Sequence, residues 1–342
     1  MFLDLGLTAN LALFMSAAAV VGVCGVQLTE KAEILARITG LGQAILGAVL
    51  LGALTSLAGT ITSVTSAWSG AAELAFGNAI GGIAAQTTFL VIADALYRKA
   101  NLEHAAASEE NLMQGVLLVA LLAIPLIGIA GPGLTIWAVD LTSLAILAAY
   151  LFGIRLLAHA HRVPMWYPRP TSATAEPEAQ PAETRLFRTR EIWLKFLLLA
   201  AAVALSGWVI AQTGIALTRQ TGLSETLVGT LFTSVVTSIP ELVIAITAVK
   251  RGALTLAVGD ILGGNTFDVL FLVLSDVAYR AGSLYQAVST SMVFWLALNI
   301  LLTAILLTGM LRRERQGPFN IGFEGLLVLV VYLSAVILLF VQ

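Results

Sequence analysis

Two acidic residues, Glu241 and Asp268, lie deep inside consecutive apolar segments that meet at a short turn, residues 250–252. A carboxylate at the centre of a membrane costs roughly 2.5 to 3.5 kcal/mol on insertion scales, so it usually faces a polar cavity or a partner. Two such carboxylates on adjacent helices therefore predict a cation site.

Hydroxyl groups accompany the first of these acids. Thr237 and Ser238 precede Glu241 by four and three residues, so the three side chains share one face of a helix. Pro240 lies in the same segment, and a helix break there would free upstream backbone carbonyls for a cation. Hydroxyl, carbonyl and carboxylate oxygens are hard donors, which suit Ca²⁺, Na⁺ or Mg²⁺ rather than soft metals.

The second acid ends a row of acidic and small residues. Asp260, Gly264 and Asp268 follow one another at intervals of four, and Gly263 beside Gly264 allows another helix to approach closely. Asp260 is therefore an auxiliary candidate for the site.

The composition decides which solvent surrounds these segments. The chain of 342 residues is 58% hydrophobic and 11% charged, with a mean hydropathy of +0.93, which is typical of an integral membrane protein. Its net charge of -2 is spread over short clusters without a basic stripe, so nucleic acid is not an expected partner. One cysteine, Cys24, leaves no disulfide framework within a chain.

Ten apolar segments have about the 20 residues that a helix needs to cross the hydrocarbon core. They predict an all-α membrane protein, and the first span lacks the basic region of a cleaved signal peptide. The predicted spans are 11–28, 41–65, 71–96, 112–129, 133–158, 192–210, 226–249, 254–279, 287–311 and 321–340.

The basic residues predict the orientation. With these ten spans, 16 of the 18 lysines and arginines fall on one side of the membrane, and only Arg219 and Arg280 fall on the other. Because cytoplasmic loops carry an excess of basic residues, both termini should lie outside and the loop after the fifth span inside. The expected location is the plasma (inner) membrane.

That loop, residues 159–191, is the only long polar connection, and it is rich in Pro, Ala and acids. Such a composition indicates a flexible cytoplasmic linker. It separates two predicted five-span halves, residues 1–158 and 192–342.

The two halves contain an internal repeat. Adding 182 to a residue number in the first half gives a counterpart in the second. The matches pair Thr55-Ser56 with Thr237-Ser238, Gly77-Asn78 with Gly259-Asp260, Gly81-Gly82 with Gly263-Gly264, and Asp94 with Asp276. Because each half has an odd number of spans, the copies are predicted to be inverted in the membrane. Inverted repeats are typical of secondary transporters, whose substrate sites lie near the midplane at interrupted helices.

The motifs T-S-I-P-E and G-D-I-L-G-G-N-T-F-D resemble the second α-repeat of the sodium/calcium exchanger superfamily, the calcium/cation antiporters. That family's motif is close to G-T-S-x-P-E on one helix and G-[ND]-x-x-G-S-N-x-x-[ND] on the next. The resemblance covers nearly the whole chain and implies ten spans as two inverted five-helix repeats. It also implies alternating access, with the first and sixth spans rocking against the other helices.

The resemblance further implies a ligand set. Glu241 and Asp268 would coordinate cations with oxygen atoms from the turns around them, and Asn78 joins Asp260 as an auxiliary candidate. The implied ligands are Glu241, Asp268, Thr237, Ser238, Thr55, Ser56, Gln86 and Asn265.

The first repeat departs from the family motif. Gly59 replaces its glutamate, Gly82 replaces its serine, and Gln86 replaces its last asparagine but still offers an amide oxygen. Two carboxylates at the centre neutralise one Ca²⁺ but do not easily hold several Na⁺ ions with it. Glu73 is a nearby acid that could substitute for the missing one.

The function expected from these residues is secondary antiport of Ca²⁺ against Na⁺ by a monomer without a cofactor. A cation/H⁺ antiporter, a monovalent-cation exchanger and a family member that no longer exchanges ions remain alternatives. An enzyme is not expected, since the chain has no H-E-x-x-H, and Ala257 breaks the Gly-x-Gly-Asp motif of intramembrane aspartyl proteases.

Four other acids receive structural interpretations. Asp94 and Asp276 each precede an arginine by four residues and are expected to form salt bridges with Arg98 and Arg280. Glu324 is expected to be a helix N-terminal acid. Asp140 is predicted inside the fifth span without a local partner.

Overall fold

The computed structural model describes residues 2–39, 52–97, 100–162, 165, 167–169, 171, 189–317 and 321–341. These residues are mostly helical, as expected where apolar segments must satisfy their backbone hydrogen bonds internally. The helices are α1 (Leu7–Thr39), α2 (Leu57–Trp68), α3 (Ala72–Leu96), α4 (Leu102–Ala106), α5 (Glu109–Ala130), α6 (Leu141–Arg162), α7 (Thr189–Thr221), α8 (Glu225–Leu227), α9 (Ser234–Thr237), α10 (Ile239–Lys250), α11 (Leu254–Asp268), α12 (Leu270–Ala278), α13 (Thr290–Arg312) and α14 (Phe323–Val341).

The described residues also form shorter elements. A 3-10 turn, Phe2–Asp4, precedes α1, and a π-helical segment, Val228–Thr233, joins α8 to α9. The strands β1 (Thr135–Ile136) and β2 (Val139–Asp140) form a small antiparallel hairpin.

Eight helices in the described part of the chain are long and apolar enough to cross a membrane. A ninth candidate is the pair Glu225–Thr237 and Ile239–Lys250, which is bent by 44°. The predicted second span, 41–65, begins outside the described residues, and its described part includes α2. Eight of the ten predicted spans thus correspond to helices of sufficient length, and the seventh is a broken helix.

The predicted start of the fifth span is wrong. Residues 135–140 form the hairpin, and the helix begins only at Leu141. Trp137 and Ala138, the two central residues, have φ angles of 57° and 67°. Two consecutive positive φ angles make a tight hairpin turn that a helix does not accommodate.

Element boundaries repeat at the offset of 182. Leu57–Trp68 corresponds to Ile239–Lys250 at both ends. The first residue of α11, Leu254, and the last residue of α12, Ala278, correspond to the two ends of α3. The breaks also correspond, because Ser56 and Ser238 precede α2 and α10 with similar backbone angles (φ/ψ -88°/13° and -98°/5°).

The centre of the molecule is α3. Its most apolar stretch is 83% buried, against 22% for that of α6. The main hydrophobic cluster surrounds α3, α11 and α13. Leucine and phenylalanine side chains such as Leu151 and Phe152 are exposed on the outside, as expected for a surface that faces lipid.

The two longest helices of the described residues, α1 and α7, form a pair, and their hydrophobic cluster also includes Ala58 of α2. Each of these two helices has a glycine that packs against the first turn of a helix from the other five-span half. A Cβ on Gly25 would lie 2.6 Å from Pro240 Cγ, and one on Gly207 would lie 2.7 Å from the carbonyl oxygen of Ala58. These two contacts are equivalent at the offset of 182, so each long helix packs directly beside a break.

We call the end of the molecule where α6 ends and α7 begins the linker end, and the opposite end, where α6 and α13 begin, the far end.

Candidate cation site

The break at Ser238 brings the two predicted acids together. Glu241 lies in the first turn of α10, which starts after the break, and Asp268 is the last residue of α11. Both are buried, with exposed fractions of 6% and 2%. Opposite them is the middle of α3 with Gln86.

A small cavity lies between these elements, with about 10 Å³ open to the centre of a water-sized sphere. Hydroxyl, amide and carboxylate groups dominate its wall, together with two glycines and one aromatic ring. The lining residues are Ser56, Gly59, Asn78, Gly82, Gln86, Thr237, Ser238, Glu241, Asp268 and Phe271.

Gln86 connects the two halves of the site. Its amide nitrogen Nε2 donates to Asp268 Oδ2 at 2.7 Å and to Ser238 Oγ at 3.2 Å. Gln86 and Asp268 are repeat-equivalent positions, so an amide of one half orients a carboxylate of the other. Gly82 and Gly264 border this region: a Cβ on Gly82 would lie 3.4 Å from Ser238 Oγ, and one on Gly264 would lie 3.4 Å from Gln86 Oε1.

Several buried oxygen atoms at this site have no hydrogen-bond donor among the described residues. They include Glu241 Oε2, Asp268 Oδ1 and Gln86 Oε1, although the Ser56 hydroxyl lies beside the Asp268 carboxylate without forming a hydrogen bond of good geometry. An unpaired buried oxygen costs free energy unless something satisfies it. Since all three atoms are acceptors, a cation or a proton satisfies them and an anion does not.

A second set of polar groups supports the first half of the wall. Asn78 Nδ2 donates to the carbonyl oxygen of Gly59 at 3.1 Å and to Ser63 Oγ at 2.9 Å. Thr237 Oγ1 donates to Ser234 O at 3.2 Å and lies 3.5 Å from Asn78 Oδ1. These bonds fix the Asn78 amide, so Thr237 presents its hydroxyl oxygen to the cavity.

Three of the predicted residues do not line this cavity. Thr55 Oγ1 donates to the carbonyl oxygen of Gly52 at 2.9 Å, and Asn265 Nδ2 donates to Thr87 Oγ1 at 3.0 Å. Asp260 lies two turns before Asp268 on α11. The possible substitute acid Glu73 is also elsewhere, in the first turn of α3, where it accepts hydrogen bonds from Thr226 Oγ1 and the backbone of Ser289.

Phe271 is a lining residue that the sequence reasoning missed. Its ring lies against Gly59, where a Cβ would be 2.7 Å from Phe271 Cε2. Its spacing, three residues after Asp268, is no sufficient signal, because Asp268 ends α11 and Phe271 lies on α12. Within the described chain, no group of three or more His, Cys, Asp or Glu residues could hold a metal ion. The cavity thus combines two carboxylates with neutral oxygens.

The family model for the sodium/calcium exchanger protein matches residues 9–157 and 191–341. The chain belongs to the sodium/calcium exchanger family. It is accordingly an integral, multi-pass membrane protein, and the family-level prediction made from the motifs is confirmed.

Two relatives are similar to this chain in sequence. The candidate antiporter CaxA of Alkalimonas amylolytica is 25% identical over 312 residues, which cover 90% of this chain and 92% of CaxA. The sodium/calcium exchanger MaX1 of Methanosarcina acetivorans is 24% identical over 145 residues, which cover 42% of this chain and 39% of MaX1.

Two solved structures share the fold. An H⁺/Ca²⁺ exchanger, CAX, has a TM-score of 0.71 with 14% identity and covers 97% of this chain and 86% of its own. The sodium-calcium exchanger NCX_Mj, soaked with Na⁺ and Sr²⁺, has a TM-score of 0.59 with 15% identity. The match covers 97% of this chain and 99% of the NCX_Mj chain. The chain therefore has the fold of a membrane cation exchanger.

Proposed function

We propose that this protein is a secondary active antiporter that carries Ca²⁺ through a site formed by Glu241 and Asp268. The single observation that carries the proposal is the set of unpaired acceptor oxygens around one small cavity, Glu241 Oε2, Asp268 Oδ1 and Gln86 Oε1. Pockets for organic ligands measure about 300 to 1,000 Å³, whereas this cavity leaves only about 10 Å³ for the centre of a water-sized sphere, which suits an inorganic ion.

The charge of the site supports one divalent ion at a time. One Ca²⁺ neutralises the two carboxylates, and so do two protons. Because Gly59 supplies no third carboxylate, we propose H⁺ as the counter-ion. Na⁺ is the second candidate, favoured by the neutral oxygens of Gln86, Thr237 and Ser238, which are hard ligands without charge.

The transport cycle we propose is alternating access between two inverted five-span repeats, residues 1–158 and 192–342, within a ten-span monomer. The pair α1 and α7 would move against the other helices, because seven of the eight buried residues of its cluster belong to these two helices and because it contacts both breaks through Gly25 and Gly207. The linker, residues 159–191, would be cytoplasmic and both termini would be outside. The ions are cargo, and the protein acts as a transporter rather than as an enzyme.

The test is uptake of radiolabelled Ca²⁺ into proteoliposomes. One arm has an outward H⁺ gradient, a second has an outward Na⁺ gradient, and a third has neither. Glu241→Gln and Asp268→Asn keep the size of each side chain and remove its charge, so both variants should lose uptake in the active arm. Glu225→Gln is the matched control, because Glu225 begins the same broken span but bonds to the backbone of Leu74 away from the cavity.

Each result has a defined meaning. Uptake in the H⁺ arm alone supports the H⁺-coupled mechanism, and uptake in the Na⁺ arm alone replaces it with Na⁺ coupling. Retained uptake in both acid variants would overturn the site. An absence of uptake in every arm for the parent protein would overturn Ca²⁺ antiport itself.

A further inference from the structure

Position 59 is where a third carboxylate would enter the cavity. Gly59 is the repeat equivalent of Glu241 and lines the same cavity. A Cβ built on Gly59 would lie 3.6 Å from Thr237 Oγ1, a hydroxyl of the cavity wall, and 2.7 Å and 3.2 Å from Cε2 and Cζ of Phe271. A side chain at this position would therefore point at the site, and the outer edge of the Phe271 ring already occupies its path.

Two further aromatic rings, those of Phe267 and Tyr150, hold the ring of Phe271 in place. Phe271 is buried, and its ring packs edge-on against Phe267 with centroids 6.2 Å apart. Phe267 in turn packs against Tyr150 with centroids 6.4 Å apart. A ring held in this row does not move aside without disturbing the next one, because packed interiors contain little free volume.

We propose that Phe271 excludes a third carboxylate, at position 59, from the site. Its ring fills the volume in which a first-repeat carboxylate would stand, which limits the site to two negative charges and one divalent ion, or two monovalent ions. This inference rests on the proposed function, since it specifies how many ions the same site exchanges.

The electrical consequence is specific. With two carboxylates, the site is neutral with one Ca²⁺ and neutral with two H⁺ or two Na⁺, so an exchange cycle moves no net charge. With three carboxylates, the site would carry one negative charge with Ca²⁺ and none with three monovalent ions. Each cycle would then move one net charge and respond to the membrane potential.

The test compares the parent with Phe271→Ala, Gly59→Glu and the double variant Gly59→Glu/Phe271→Ala. The steady-state ratio of Ca²⁺ across proteoliposomes is measured while a tenfold K⁺ gradient with valinomycin sets the potential. One net charge per cycle shifts this ratio by about tenfold under such a gradient, whereas an electroneutral cycle leaves it unchanged. The ratio is an equilibrium quantity, so a loss of transport rate alone does not change it.

We expect no shift for the parent or for Phe271→Ala, and a shift of about tenfold for the double variant. Phe271→Ala should also admit the larger Sr²⁺ and Ba²⁺ better relative to Ca²⁺, because selectivity among these ions depends on cavity size. Phe89→Ala is the control for this selectivity: Phe89 is the repeat equivalent of Phe271 but lies outside the lining that the described residues form.

A potential-dependent ratio in the parent, or unchanged Sr²⁺ and Ba²⁺ selectivity in Phe271→Ala, would overturn the inference while Ca²⁺ antiport stands. A parent that accumulates no Ca²⁺ would instead remove the proposed function.

A stability measurement tests the contact if the double variant does not transport. Gly59→Ala should lower the melting temperature when Phe271 is present, because the new methyl group meets the ring. In a Phe271→Ala background, Gly59→Ala should not lower the melting temperature. Equal losses in the two backgrounds would show that the ring does not limit position 59, and would overturn the inference.

Discussion

The linker end and the far end of the molecule share one backbone arrangement but differ in their side chains. At the far end, Asp276 accepts hydrogen bonds from the backbone of Leu284 at 2.9 Å and of Asp140 at 2.7 Å. At the linker end, Asp94 accepts equivalent bonds from Leu102 at 2.6 Å and Gly322 at 3.2 Å. Asp94, Leu102 and Gly322 are each 182 positions away from Asp276, Leu284 and Asp140, respectively.

The side chains around these two anchors are different. Ser143 Oγ donates to Asp276 Oδ2 at 2.7 Å and lies 3.0 Å from the hydroxyl of Tyr285. The equivalents of Ser143 and Tyr285 at the linker end are Gly325 and Glu103. The far end therefore surrounds its two carboxylates, those of Asp276 and Asp140, with donors, whereas the linker end has glycine and glutamate in place of this serine and tyrosine.

A third carboxylate, that of Glu324, lies near those of Asp94 and Glu103 at the linker end. Glu324 stands at the position equivalent to Thr142, and its Oε2 and that of Glu103 both lie within 3.3 Å of where a Cβ on Gly322 would be. Both glutamates are at least 97% buried, and these oxygens have no hydrogen-bond partner in the described parts of the chain. Repetition has thus kept the backbone framework, while substitution has given the carboxylates of one end hydrogen-bond donors and has brought three carboxyl groups together at the other.

The two repeats also contribute differently to the cation site, since the second repeat supplies both carboxylates and the first supplies the amide of Gln86. Substitutions at this site should have the largest effects on transport. Asp268→Ala removes a charged ligand, a change that costs about 2 to 5 kcal/mol at buried charge pairs, so Ca²⁺ transport efficiency should fall by at least about 30-fold. Gln86→Ala removes only the hydrogen bond that orients Asp268, and losses from such supporting groups are about 10- to 100-fold in metal affinity. The measurement is kcat/KM for Ca²⁺ uptake in proteoliposomes.

The ratio of these two losses tests whether the halves are unequal. A loss in Gln86→Ala equal to that in Asp268→Ala would show that the amide is itself an essential ligand. The double variant should lose little more than Asp268→Ala alone, since the two groups act through one hydrogen bond.

The linker end should give a pH-dependent effect on stability. Burial raises the pKa of Glu103 from 4.5 to about 8, and the negative charges of Asp94 and Glu324 add to this shift. A raised pKa of an acid in the folded state means that the protonated form is favoured. Its contribution to stability is therefore full below about pH 4.5 and is lost as the pH rises towards 8.

Glu103→Gln should remove this loss. At pH 9 the variant should be more stable than the parent by about 1 to 3 kcal/mol, the cost of a buried unsatisfied group, and at pH 4.5 the difference should be small. The measurement is the melting temperature of the detergent-solubilised protein at both pH values. Tyr285→Phe is the control at the equivalent far-end position, and its effect should not change over this range. A pH-independent gain for Glu103→Gln would contradict the assignment.

The sequence predicted the broken span better than the ends, because the break beside Pro240 is a local feature. The single helical face predicted for Thr237, Ser238 and Glu241 is wrong, since the helix breaks at Ser238 and places Thr237 and Glu241 on two segments bent by 44°. The offset of 182 predicted equivalent pairs, and the element boundaries and breaks repeat at that offset. Phe271 was missed because its role depends on how α12 packs against α2, which local spacing does not specify.

The predicted salt bridge of Asp276 is wrong for a physical reason. The helix ends at Ala278, and Tyr279 is extended with ψ of 102°, so Arg280 is not on the next helical turn and instead donates to the carbonyl oxygen of Val277. For Asp94, the predicted partner Arg98 lies outside the described residues, and the helix likewise ends before an extended residue, Tyr97.

Two other acids also differ from expectation. Asp140 lies in strand β2, not in a span, and its carboxylate accepts from Thr142 and Ser283. Glu324 is in the first turn of α14 as predicted, but it is buried among other acids. Both outcomes depend on contacts between distant parts of the chain, which a search for local partners does not reveal.

The smallest effects should come from the threonines that precede the two breaks. Thr237 lines the cavity, whereas its equivalent Thr55 donates to the backbone of Gly52 away from it. A neutral oxygen ligand contributes about as much as one hydrogen bond, roughly 1 kcal/mol, so Thr237→Val should raise the KM for Ca²⁺ about fivefold. Thr55→Val should leave KM within about twofold, since its hydroxyl is already satisfied by the backbone.

These two substitutions have the same size and chemistry, so they compare the halves directly. If both threonines raised KM equally, the cavity would extend symmetrically into the first repeat and Thr55 would be a ligand, as the family resemblance implies. If only Thr237→Val does so, the second repeat supplies the hydroxyl, and the first repeat contributes to the site mainly through Gln86 and Ser56.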